Sequence, residues 1–325
     1  MTVLLAQAPA RGIVSKAAGP RERAGDRVFQ AVLCAAALSV VALASALGFQ
    51  LAAGSRLLWR TTGPAFLWGT TWDPVAEVFG ALPFIFGTLV TSALALLIAV
   101  PLGVGAAVFL AEMAPRRAAA VCSFLIELLA AVPSVIIGLM GIFVLVPAVR
   151  AVEPFLISAL GWTPFFSGAP YGVGVLSAGL VLAAMILPYI TSITREVLLS
   201  VPQSLKEGAL ALGATRWESV RTVSLPYARS AVLGAVFLAL GRALGETMAV
   251  TMVIGNTPKI SASLLDPGYS MAAVIANEFA EATSDAYVHA LIGVGLVLFV
   301  LTLVINGAAR WMIHRLGTPG KGAPR

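Results

Sequence analysis

Two opposite charges stand four residues apart inside an otherwise apolar run: Arg242 and Glu246, within Ser230 to Pro258. On one helix such a pair shares a face. That face would also carry Ala235, Ala239 and Ala249, with Leu233, Leu240, Leu244 and Thr251 opposite. Small and charged residues together, with bulkier ones behind, aim the charges at the interior of a helix bundle. An ionised side chain at mid-membrane costs at least about 2.5–3.5 kcal/mol on insertion scales, so two of them need a reason. Two reasons fit. The pair is a self-neutralising structural device; or Arg242, with Thr247 nearby, meets an anion, and Glu246 holds the guanidinium and balances its charge while the site is empty. A guanidinium suits an oxyanion because its donors form a fixed fork. Gly241 and Gly245, beside this face, would permit close backbone approach. Glu127 is a third candidate charge, either interfacial or paired with a basic residue.

Other chemistries find no support. The four lysines, Lys16, Lys206, Lys259 and Lys321, sit in no phosphate-binding Gly-x-x-x-x-Gly-Lys loop. The Gly-x-Gly triplets starting at Gly103, Gly172 and Gly293 lie in or beside apolar spans and read as close-packing positions. His289 and His314 are isolated, and no nucleophile-and-base pattern occurs. Cys34 and Cys122 read as small packing residues without a disulfide. The chain is expected to bind no cofactor or metal and to be no enzyme.

The elements that must position these charges follow from composition. The chain has 325 residues, 59% hydrophobic and 11% charged. Soluble domains carry roughly 25% charge, and disorder needs low hydrophobicity, which leaves an all-α polytopic membrane protein. About 20 apolar residues cross a bilayer. Six transmembrane helices are predicted, at 28–49, 84–110, 121–147, 173–194, 230–254 and 287–309. The first is longer than a signal-peptide core despite the small residues Ala44, Ser45 and Ala46, so it reads as a retained anchor. Sixteen of the 21 basic residues fall on one side, which places both termini in the cytoplasm by the positive-inside rule. The division is a tail over 1–27, a first helix over 28–49, a periplasmic loop over 50–83, a five-helix transmembrane domain over 84–310 and a tail over 311–325.

Outer loops 50–83 and 148–172 carry Trp59, Phe66, Trp68, Trp72, Trp162, Phe165, Phe166 and Tyr171, as an interfacial aromatic belt would. After Asp266-Pro267-Gly268, the spacing of Met271, Val274, Ile275 and Phe279 predicts a short amphipathic helix that either docks a partner or packs on the bundle. Pro133 and Pro188 are candidate helix kinks, static or beside a pathway.

The cytoplasmic stretch 204–226 carries a long fixed pattern: Glu207-Gly208-Ala209, three residues, Gly213, nine residues, then Val223-Ser224-Leu225-Pro226. Ser204 and Glu207 have the spacing of a capping box. Gly213 permits a turn that a side chain would resist. Pro226 marks re-entry to the membrane, and the whole reads as two short helices at an angle, presented to a groove on another protein. The pattern resembles the coupling loop of ABC-type importer permeases, with Gly208 and Val223 as its two departures. The run from Gly241 to Asn256, with Phe109 to Pro115 and Ala131 to Val135, is similar to the C-type permease subunit of bacterial phosphate importers.

The resemblance covers about residues 80–310 and implies a type I ABC importer permease core. It further implies inorganic phosphate as substrate, a bacterial inner-membrane location, and three kinds of partner. These are a second homologous permease, two ATPase subunits using ATP and Mg, and a periplasmic phosphate-binding protein. The alternatives are a permease for sulfate or molybdate, which the Gly241 to Asn256 run argues against, and an ion-coupled secondary transporter, which the coupling pattern disfavours. A non-transporting membrane subunit would leave Arg242 without a necessary role.

Overall fold

A computed structural model describes residues 20–316. The tails on either side, with Arg11, Lys16, Lys321 and Arg325, lie outside the described residues. Six helices among the described residues are long and apolar enough to cross a membrane: Val28–Gly54, Leu82–Met113, Ser134–Leu160, Val175–Leu199, Arg216–Leu244 and Asp285–Arg315. The number agrees with the sequence reading, while the third and fifth spans are displaced at both ends.

Helix α1 (Pro20–Gly54) runs unbroken through Ala44 to Ala46. Up to Gln50 it belongs to a compact unit of its own, and its apolar side chains, Val28, Leu38 and Leu43 among them, are exposed. The second unit begins at Leu51. It contains α2 (Leu82–Val108), α3 (Arg116–Ala130), α4 (Ser134–Leu160), α5 (Val175–Leu199), α6 (Gln203–Ala211), α7 (Arg216–Leu244), α8 (Met248–Val253), α9 (Met271–Glu278) and α10 (Asp285–Leu316). A two-residue hairpin of β1 (Trp72–Asp73) and β2 (Val78–Phe79) precedes α2.

The third span differs from the prediction. A single helix over 121–147 was expected, kinked at Pro133. The chain instead forms α3, breaks at Ala131 to Pro133, and starts α4 at Ser134 with Pro133 in the N-cap position at φ −58°, ψ 138°. Proline has no N–H to donate and disfavours the helical region for the residue before it, so Pro133 ends one helix and opens another. Helix α4 then continues to Leu160, through what read as an aqueous loop. Pro188 does lie inside a helix, α5, as do Pro101 in α2 and Pro154 in α4.

Of three wide, π-helical turns, two share one cause. The three occupy Phe109–Met113, Gly141–Leu145 and Val220–Ser224, and each ends two residues before a proline: Pro115, Pro147 and Pro226. Pro115 follows an extended Ala114 and lies outside the helix that the first turn ends, but at the other two turns the proline ring collides with the carbonyl four residues back, residues 143 and 222, in the middle of each. Widening the turn moves that carbonyl aside.

Helix α5 is the most buried of the six spans. Its Leu182, Met185, Ile186 and Ile190 meet Ala95 and Ala99 of α2, Ala239 and Ala243 of α7, and Val250 and Val253 of α8. Small residues on the flanking helices let the backbones approach, which favours packing where lipid supplies no hydrophobic drive. The expected packing glycines behave accordingly: a Cβ at Gly103 would stand 3.0 Å from Ile190, and one at Gly293 would collide with Leu58.

A second core closes one end of the bundle. Trp72 packs edge-on against Phe79 and Phe84 at centroid distances of 4.9 and 4.8 Å, and Phe79 stacks on Tyr287 at 5.5 Å. Glu278 accepts from Trp72 Nε1 at 2.8 Å and from the Tyr287 hydroxyl at 2.6 Å. Phe66 and Trp72 are therefore core residues and not part of an interfacial belt, whereas Trp68 and Trp162 are exposed. Helix α9 packs as well: Met271 and Val274 are fully buried, and Ser270 Oγ caps it by accepting from Ala273 N at 3.2 Å. The open choice between docking and packing resolves to packing. Cys34 and Cys122 are free, as expected, but exposed, so neither packs within the described chain.

Candidate functional site

Helix α7 ends at Leu244 with Gly245 as its C-cap, and α8 starts at Met248. Arg242 therefore lies in the last turn of one helix, and Glu246 lies in the break. The i, i+4 geometry that would have joined them is absent, and they form no ion pair. The carboxylate instead serves the second helix: Glu246 Oε1 accepts from Ala249 N at 3.4 Å. An acidic side chain there answers the unsatisfied N–H groups of a helix start. Thr247 is half-buried at the N-cap of α8 and makes no side-chain cap.

Arg242 is held from another direction. Its guanidinium carbon sits 4.9 Å from the ring centroid of Tyr189, on α5 immediately after Pro188. Its Nε is buried without a hydrogen-bond partner. A cation over an aromatic face is oriented without using its N–H donors, so the fork stays free for an oxyanion. Of the alanine face, Ala235 and Ala239 are buried on α7, while Ala249, also buried, lies beyond the break on α8 and so no longer continues that face. Leu244, expected on the opposite side, is 1% exposed. The Gly241–Gly245 motif receives no close neighbour among the described residues. The nearest atom to a Cβ on Gly241 is 3.9 Å away, and a Cβ on Gly245 would meet only its own helix.

Glu127 is exposed on α3 and forms no ion pair among the described residues. It lines a small polar cavity of about 50 Å³ with Ser123, Thr191, Ser192, Arg195 and Glu196.

The 204–226 segment has its own local logic. Helix α6 begins after Pro202 with no side-chain cap, so Ser204 and Glu207 do not form the expected box. It ends in a Schellman turn: Ala214 N donates to Ala209 O at 3.1 Å and Gly213 N to Leu210 O at 3.0 Å, with Gly213 at φ +92°. The capping box belongs to Thr215 and Glu218 instead. Thr215 N donates to Glu218 Oε2 at 2.7 Å, and Glu218 N donates to Thr215 Oγ1 at 3.3 Å. From Arg216 the chain is helical without interruption into the fifth span, so the second short helix is corrected to the start of a long one. Pro226 falls in the first turn after the wide turn, where its missing N–H is accommodated. Glu207, Gly208 and Pro226 are exposed, and Ala209, Val223 and Leu225 are half-buried. Around them Leu205, Leu210, Leu212 (92% exposed) and Trp217 present apolar surface.

Sequence reasoning missed three positions. Tyr189 carried no signal, since its role depends on α5 meeting α7. Lys206 was counted only as a loop charge, yet it is buried and donates to Glu112 Oε1 at 2.8 Å. Glu153, 1% exposed in α4, accepts from Gly172 N at 2.8 Å. It lay in an assumed loop, and a correct end for α4 would have flagged it.

With this geometry in view, comparison with known proteins is decisive. Residues 99–318 match the family model of the binding-protein-dependent transport system inner membrane component. The phosphate transport system permease protein PstC of Mesorhizobium japonicum is 49% identical over 90% of each chain. The PstC protein of Xylella fastidiosa is 49% identical over 91% of this chain and 93% of its own. Among solved structures, a bacterial alginate ABC transporter in complex with its pentasaccharide-bound periplasmic protein superposes with a TM-score of 0.59 at 17% identity, over 91% of this chain and 98% of that one. The inward-facing MetNI methionine ABC transporter gives 0.51 at 18% identity, over 78% and 99%. At these identities the structures establish the fold, and the sequence relatives establish the family. The chain belongs to the family of binding-protein-dependent transport system inner membrane components, and its relatives within that family are phosphate transport system permeases.

Proposed function

We propose that this chain is a permease subunit of an ATP-driven importer that moves inorganic phosphate across the bacterial inner membrane. The observation that carries the reading is 49% identity to phosphate permeases over nine-tenths of both chains. The site geometry is compatible with it. Arg242 supplies a preorganised cation whose Nε makes no hydrogen bond, and Glu246 keeps a negative charge nearby without occupying the fork. Phosphate would pass Arg242 as the helices rearrange, with α7 carrying Arg242 and α5 the Tyr189 ring that holds its guanidinium in place.

The partners follow from the same reading. A second, homologous permease completes the pathway, two ATPase subunits hydrolyse ATP with Mg, and a periplasmic binding protein delivers phosphate. The exposed apolar surface around Glu207, Gly208 and Gly213 is the ATPase contact, on the cytoplasmic side along with both termini. Hydrolysis resides in the partner.

Radiolabelled phosphate uptake into vesicles, with and without internal ATP, tests this directly. ATP-dependent uptake that excess sulfate and molybdate do not compete away is the expected result. Uptake driven by an ion gradient without ATP, or competed equally by sulfate or molybdate, would overturn it.

A further inference from the structure

Helix α6 lies beside the start of α7, is otherwise mostly exposed, and sends one charged side chain inward. Of its residues Gln203–Ala211, Lys206 is buried, Ala209 is half-buried, and the others are exposed. The Lys206 ammonium donates to Glu112 Oε1 at 2.8 Å and to Leu198 O at 3.2 Å. The side chains of the pair are 11% and 12% exposed. Glu112 lies in the wide turn Phe109–Met113 that ends the second span, and Leu198 lies in the last turn of α5. Below the pair, Ala107, Val108, Leu198, Val220 and Ala228 form a small apolar floor. One ammonium thus joins three elements: the exposed helix, the end of the second span, and the end of the central helix. Such a pair, once desolvated, is costly to break by removing one partner, so displacement of α6 would carry both ends with it.

We propose that the Lys206–Glu112 pair is the strut that conveys motion of the ATPase-contacting helix into the second span and α5. This rests on the reading of α6 as the ATPase contact. It makes Lys206 and Glu112 positioning residues for transport, acting together.

The test uses the complete complex of both permeases, ATPase and binding protein in proteoliposomes, with Lys206→Met, Glu112→Gln and the double variant. A thiol-reactive fluorophore is attached through Leu97→Cys on the exposed face of α2, in a background carrying Cys34→Ser and Cys122→Ser, and reports movement of the second span. The strut predicts that every variant retains its ATPase through purification and still hydrolyses ATP. Phosphate moved per ATP falls at least about tenfold, and the double variant is no worse than the worse single one. Vanadate trapping shifts the fluorophore signal in the parent but not in the variants. Unchanged transport per ATP, a multiplicative loss in the double variant, or a preserved fluorescence shift would overturn the strut, and so would loss of the ATPase on purification, which marks a purely structural role. Because the fluorescence shift needs no substrate, its outcome is separable from failure of the phosphate assignment, which would appear as absent phosphate uptake in the parent complex.

Discussion

At the scale of single residues, the free N–H donor on Arg242 is the feature with the clearest chemical consequence. Hydrogen bonds to charged groups are worth about 1.5–3 kcal/mol, so Arg242→Gln should reduce phosphate uptake by about tenfold or more while leaving membrane assembly intact. Uptake in vesicles, with the amount of complex quantified, checks both parts. Tyr189 should act through Arg242. Contacts of this kind contribute about 0.5–2 kcal/mol, so Tyr189→Leu should raise the apparent KM for transport roughly 2- to 30-fold. Tyr189→Phe, which keeps the ring face, should stay near the parent value. Equal loss in both variants would point to the hydroxyl instead. These roles were only partly legible in the sequence. The type and depth of Arg242 were readable. That Glu246 caps a separate helix was not, because a helix break at Gly245 leaves the residue spacing unchanged.

At the scale of elements, the 203–226 region depends on two local devices that its sequence carries openly once the right residues are chosen. Gly213 has a positive φ and anchors the Schellman turn. A β-branched side chain there costs about 1–2 kcal/mol from the left-handed conformation alone. Gly213→Val should therefore weaken co-purification of the ATPase, which a pull-down with quantified subunit ratio measures. Thr215→Ala removes the capping box and should cost roughly 1 kcal/mol, read as a lower melting temperature of the purified subunit, with a smaller effect on the ATPase ratio. The box was expected at Ser204 and Glu207 because their spacing is the same as that of Thr215 and Glu218. Spacing alone could not choose between the two, since the choice depends on where the preceding helix stops. The prolines teach a related lesson. Pro133 terminates a helix, whereas Pro147 and Pro226 are absorbed by wide turns, so a proline in an apolar stretch does not by itself say whether the axis bends, breaks or bulges.

At the scale of the whole molecule, the loops between spans are tied to the bundle by buried polar contacts. Glu153 on α4 holds Gly172 N, and Ser177 Oγ donates to Gly172 O at 2.5 Å. Beyond this, Leu264 N donates to Phe165 O at 2.9 Å and Ser263 Oγ to Ser167 O at 2.6 Å. Glu153→Leu would leave the Gly172 N–H without its acceptor, at a cost of about 1–3 kcal/mol. Its melting temperature in detergent should fall accordingly, while Glu153→Gln, which keeps an acceptor, should stay close to the parent. Equal destabilisation by both would show that the charge, and not the acceptor, matters.

Composition and apolar run length by themselves determined that this is a multi-span helical membrane protein, because a bilayer sets the length of each span and penalises charge within it. The fixed pattern from Glu207 to Pro226 and the run from Gly241 to Asn256 determined the family. What the sequence left open was decided only by tertiary structure: that α4 runs from Ser134 to Leu160, that Arg242 rests on Tyr189, and that Lys206 reaches Glu112. The last two depend on segments distant in the chain coming together. Hydrophobicity registers how deeply a residue can be buried, but not which neighbour it will be buried against.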